Sequence, residues 1–115
     1  MSEPTIDRAV FDELKEAAGA EFVIELVDTF LAEAPSMLDA LRHSFATRDA
    51  DVFRRTAHSL KSNANTFGAH ALGAMAKELE LGGLAPVLAA DGQSIEALAQ
   101  EYARVAAALK ELRNA

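Results

Sequence analysis

Hydrophobic residues recur every three or four positions through most of this chain, which is the period of helices packed on one side. Val10, Phe11, Leu14 and Ala18 make the first stripe. They predict a short helix from about Asp7 to Ala18, with Asp7 as its N-cap and Gly19 as its stop. Phe22, Val23, Leu26, Val27, Phe30, Leu31, Met37, Leu38, Leu41 and Phe45 carry a long second helix over Ala20 to Phe45. Pro35 falls inside that run and predicts a kink or two abutting helices. A third helix spans about Ala50 to Phe67 behind the cap Asp49, and a fourth spans His70 to Leu81 before Gly82 and Gly83. Pro86, Asp91 and Gly92 read as a loop, after which Ser94 is expected to cap a last helix reaching Arg113. Short connections between long amphipathic helices make antiparallel neighbours. The fold expected is therefore all-α: an antiparallel up-down four-helix bundle with a short additional N-terminal helix, one domain over residues 1–115.

The third helix differs from the others in what it exposes. Phe53, Ala57, Leu60, Ala64 and Phe67 follow spacings of four, three, four and three, which gathers them into a core stripe. At ~3.6 residues per turn, His58 stands on the order of 140° from the centre of that stripe and should face solvent. Arg54, Lys61, Ser62 and Asn65 share its side, because positions three, four and seven apart are neighbours on a helix surface. The expected patch is thus an imidazole between cations, with small polar residues beyond it and no carboxylate on the same helix to neutralise it.

Composition narrows what such a patch can do. Half of the 115 residues are hydrophobic, a quarter are charged and three are proline, as in a folded soluble domain. The absence of cysteine excludes disulfides, thiolate metal sites and cysteine nucleophiles. The opening MSEPTIDRAVF lacks a basic segment followed by an apolar run, and no apolar stretch approaches the roughly 20 residues that span a bilayer. A cytoplasmic, soluble protein is expected.

Eighteen acidic against eleven basic side chains leave a net charge of −7, which opposes nucleic-acid backbones and anionic membranes as partners. Yet no Asp or Glu lies between Asp51 and Glu78, while Arg54, Arg55, Lys61 and Lys77 do. An anionic group is expected to meet the protein there.

The remaining candidates have plain structural readings. His43, near the end of the second helix, favours the helix dipole. His70 opens the fourth helix and reads as surface. The three histidines come from separate elements without H-E-x-x-H or E-x-x-H spacing, so no metal site is expected. The Phe residues at 22, 30, 45, 53 and 67 read as core, with one or two of them, or Met37 or Leu38, left to make an apolar docking patch near His58. There is no glycine-rich nucleotide loop and no G-x-x-x-x-G-K-[ST] run, so self-phosphorylation from ATP is not expected.

Physical chemistry suits the His58 patch to phosphoryl transfer. A neutral imidazole is nucleophilic at cytoplasmic pH, its unperturbed pKa being about 6.5. Transfer depends on positioning and charge stabilisation, which an ammonium such as that of Lys61 supplies. Small side chains at Ser62 and Asn65 leave room for a partner to approach in line.

The run AHSLKSNANTFGA, Ala57 to Ala69, resembles the signature of histidine-containing phosphotransfer (HPt) domains. That signature joins His-x-Leu-Lys and a small residue to a later Gly-Ala, here His58, Leu60, Lys61, Gly68 and Ala69. The likeness extends from IDRAVFDEL through FLAEAP to KELE, most of the chain.

What the resemblance implies is a helical bundle whose surface histidine exchanges phosphoryl groups with the aspartate of response-regulator receiver domains, or receives them from a hybrid histidine kinase acting through one. His58 would be the phosphoacceptor, Lys61 would steady the phosphoryl oxygens, and Ser62, where many members carry Gly, would permit close approach; Arg54 joins Lys61 as a phosphoryl-stabilising candidate on its helical spacing alone. Glu80 matches a position where some relatives carry a Gln that orients the histidine. The family needs no cofactor of its own, the magnesium belonging to the receiver. A monomer is expected, since one bundle covers its own core. The alternative is a helical-bundle binding module that docks or sequesters a response regulator without chemistry.

Overall fold

The computed structural model describes residues 5–114. Among these residues six helices follow one another: α1 (Arg8–Ala18), α2 (Ala20–Thr47), α3 (Ala50–Thr66), α4 (His70–Gly82), α5 (Leu84–Ala89) and α6 (Gln93–Asn114). Helices α2, α3, α4 and α6 close a ring in which each packs on the next, and α1 lies against α2 and α3. The expected bundle with its extra N-terminal helix is present. Among the described residues no helix is long and apolar enough to cross a membrane.

Local chemistry accounts for the helix ends. Asp7 caps α1 by accepting from the Ala9 N–H at 3.0 Å, and Asp49 caps α3 by accepting from Val52 at 3.1 Å. Gly19, at φ 93°, breaks the chain between α1 and α2 while its N–H still donates to the Lys15 carbonyl. On α3 the stripe behaves as its spacing predicts: Phe53, Ala57, Leu60 and Ala64 are fully buried. Phe30 of α2 sits between Phe67, at 5.5 Å between ring centroids, and Tyr102 of α6, edge-on at 5.8 Å.

Four expectations need correction. Residues 84–89 form helix α5 instead of a loop, because Pro86 occupies its first turn, where a missing N–H costs nothing. Leu84 and Val87 thereby enter the core. Ser94 does not cap the last helix but lies inside α6, whose first turn is anchored by Ile95 and Glu96 N–H groups donating to the Gly92 carbonyl. Of the two outcomes predicted at Pro35, the abutting pair is not formed: α2 runs through it as one helix of 28 residues, with the proline on its exposed side, where the bond it omits is open to water. Finally, Phe22 is half exposed at the start of α2, one position off the buried line of Val23, Val27 and Phe30, while Phe30, Phe53 and Phe67 are buried and Phe45 is half-buried.

Candidate functional site

The site lies on the seam between α3 and α4. The two helices turn sharply at Phe67–Ala69, so residues equally far from that corner stand opposite one another. His58 is 11 residues before Ala69 and Glu80 is 11 after it. Their side chains meet: His58 Nδ1 and Glu80 Oε2 are 2.7 Å apart. The His58 side chain is 57% exposed, as its angle from the core stripe predicts, whereas Glu80 is only 15% exposed.

Lys61 comes to the same carboxylate. Its Nζ lies 2.8 Å from Glu80 Oε1. That short contact pairs the buried carboxylate oxygen directly with a cation. The Lys61 ammonium first, and then the His58 ring, hold the Glu80 pKa below its ordinary 4.5, against an opposing push from burial. Glu80 is therefore ionised at neutral pH and can only accept. The proton in its contact with His58 must then sit on Nδ1, which leaves the Nε2 lone pair free. Nε2 has no hydrogen-bond partner among the described residues.

Other members of the predicted patch are arranged differently from the expectation. Carboxylates do reach it. Asp51, in the first turn of α3, takes Arg54 at 3.0 Å and Arg55 at 3.0 Å, and Glu80 arrives from α4. Arg54 and Arg55 still line an open hollow with His58, Ser59 and Glu80. Lys61 is half-buried rather than exposed, at 24%. Ser62 is exposed one turn beyond His58. Asn65 leans on α4: a Cβ built on Gly73 would fall 2.2 Å from its Oδ1, so the glycine makes room for it.

On the far side of Ser59, half-buried Met37 lines a shallow groove with Glu33, Ser36 and Thr56, while Leu38 belongs to the core. His70 is more than surface, its Nε2 lying 3.0 Å from Asp7 Oδ2. His43 is exposed. Among the described residues no three His, Asp or Glu side chains cluster as a metal site would need.

Sequence reasoning placed Glu80 near His58 through resemblance alone and missed its grip on Lys61. The available signal was the α3–α4 register just described. For Asp51 the signal is its place in the first turn of α3, three and four residues before Arg54 and Arg55, the spacing of ion pairs on a helix surface.

Residues 25–115 match the family model of the Hpt domain. The chain belongs to the Hpt domain family. The crystal structure of histidine-containing phosphotransfer protein B (HptB) from Pseudomonas aeruginosa PAO1 is similar over 98% of this chain and 97% of that one, at 32% identity and a TM-score of 0.87. No curated protein sequence matches. As an Hpt domain the chain is a histidine phosphotransfer protein of a phosphorelay, and Hpt domains as a family interact with receiver domains and histidine kinases.

Proposed function

We propose that His58 is the phosphoryl carrier of this Hpt domain, accepting on Nε2 from the aspartyl phosphate of a receiver domain and passing the group to another receiver. One observation carries this reading: an exposed imidazole whose Nδ1 is engaged by an ionised carboxylate, so that Nε2 keeps its lone pair. In the accepting step Nε2 attacks phosphorus, the P–O bond to the aspartate breaks, and its electron pair leaves with the carboxylate. Lys61 lies one turn away to draw the phosphoryl oxygens, and Arg54 is available once it releases Asp51. Ser62 and Asn65 keep the approach low, and Glu80 orients the ring.

The chain brings no nucleotide loop, so phosphate arrives from a partner, and the magnesium that receiver chemistry uses stays with that partner. The net charge of −7 directs the protein to other proteins and away from nucleic acid and membranes. We place it in the cytoplasm as a monomer.

The test is incubation with a phosphorylated receiver domain, comparing the native protein with His58→Gln. Label on the native protein alone is expected. Equal labelling of both would refute His58 as the carrier, and binding without any acid-labile phosphate would favour a docking module.

A further inference from the structure

Glu80 is the one carboxylate among the described residues in contact with the His58 ring, and it differs from a neutral orienting group in carrying charge. Its Oε2 faces Nδ1 at 2.7 Å and its Oε1 faces the Lys61 ammonium at 2.8 Å. We propose, building on the phosphoryl-carrier reading, that Glu80 is a positioning residue that keeps the Nδ1 proton on His58 after phosphorylation and so sets how fast the phosphoryl group leaves.

The argument concerns the leaving group. Once Nε2 carries phosphorus, the ring exists in two forms. With a proton on Nδ1 it is a cation, and cleavage of the P–N bond returns a neutral imidazole. Without that proton, the same cleavage must expel an imidazolate anion, a far poorer leaving group. In onward transfer the P–Nε2 bond breaks and its electron pair returns to Nε2. A P–O bond forms with the receiver's aspartate, and the Nδ1 proton stays where it is. An anion 2.7 Å from Nδ1 favours the protonated, reactive ring.

Every other charge around the ring works the opposite way or is spent elsewhere. On α3, Arg54 and Arg55 are cations already paired with Asp51, and Lys61 is a cation paired with Glu80 itself. On α4, Lys77 lies one turn before Glu80. From α2, Glu33 reaches only the groove beyond Ser59. Removing the Glu80 charge therefore leaves the phosphoryl group's own oxygens, on the Nε2 side, as the negative charge nearest the ring, with no carboxylate among the described residues in contact with Nδ1.

The experiment labels the protein with 15N-histidine, phosphorylates it with phosphoramidate, and follows the Nδ1 resonance of phospho-His58 against pH. Glu80→Gln, equal in size and able to accept the same hydrogen bond, is expected to lower the midpoint by about one unit, tenfold in proton affinity. Onward transfer to a receiver domain should show the same displacement, the ratio of native to variant rates rising about tenfold on the alkaline side. Coincident titrations and coincident pH–rate profiles would overturn the proposal.

Should the variant not fold, the native protein suffices. A midpoint no higher in the folded phosphoprotein than in the same chain in urea overturns the proposal, and a raised one supports it. A native protein that takes no phosphate on His58 at all fails the carrier reading on which this rests, a result distinct from coincident titrations.

Discussion

The backbone of Asp7 lies directly on Gly68. The Asp7 N–H donates to the Gly68 carbonyl at 2.9 Å, and a Cβ at Gly68 would stand 2.9 Å from the Asp7 carbonyl oxygen and 3.0 Å from Val10 Cβ. Gly68 also has φ +80°, a conformation that side chains with a Cβ rarely adopt. The corner that sets the α3–α4 register is thus also the seat of α1.

Gly68→Ala should for that reason cost about 2–4 kcal/mol, the left-handed backbone supplying ~1–2 of it and displacement of α1 the rest. Urea denaturation checks this. An unchanged midpoint would mean the corner tolerates a side chain and α1 is not seated as described.

A second link joins the same two places. Asp7 Oδ2 is 3.0 Å from His70 Nε2 while Oδ1 caps α1. The hydrogen bond from His70, with smaller help from the backbone of Val10 and Ala9, holds the Asp7 pKa below 3.8 against an opposing effect of burial. A carboxylate depressed on folding stabilises fully above its unfolded value and loses that contribution as pH falls through the folded one. Asp7→Asn keeps a capping oxygen but no charge. Its deficit against the native protein should be present above about pH 4 and shrink below it. Denaturation midpoints measured from pH 7 to pH 2 decide the matter, and a gap that stays constant throughout would refute it.

How much of this was legible beforehand depended on periodicity. The α3 stripe and the outward turn of His58 follow from spacing alone, because a helix face is fixed by its residue period. Pro86 and the flanking glycines signal breaks and so hide the α5 turn, although proline in a first helical turn breaks nothing. Contacts across helices are a different problem. That Glu80 bridges His58 and Lys61 depends on where the α3–α4 corner falls, and one residue of error there turns the carboxylate by ~100°. Arg54 shows the converse: its face was right, but its partner Asp51, one turn earlier, engages it before any phosphate does.

Leu60 stands between the two functional neighbours His58 and Lys61 and is fully buried. Leu60→Ala should cost about 2–5 kcal/mol by opening a cavity under the site. At temperatures where the variant stays folded, labelling of His58 should persist, since the chemistry lies on the opposite face. Thermal unfolding and receiver-dependent labelling together test this. Loss of labelling in a folded variant would show that the site depends on this packing more closely than the helix geometry implies.

Lys61 is the sharpest departure from the simple surface reading, and its variant separates two roles. An exposed lysine could be removed without effect on the fold, but this one is half-buried and its ammonium pairs with the buried Glu80 Oε1 at 2.8 Å. Lys61→Met keeps most of the apolar stem and removes the charge. At pH 7 it should lower the thermal midpoint, because a largely buried carboxylate is left without its cation. Glu80 is held below 4.5 chiefly by Lys61, so the stabilisation is complete above that value and is lost as pH falls through the lower folded pKa. The gap between native and variant midpoints should therefore close toward pH 3. Phosphoryl uptake by His58 should slow at pH 7 in the folded variant, through loss of a positive charge beside the incoming oxygens. A destabilised variant that accepts phosphate at the native rate would assign Lys61 to Glu80 alone, as a structural counterion that takes no part in the transfer.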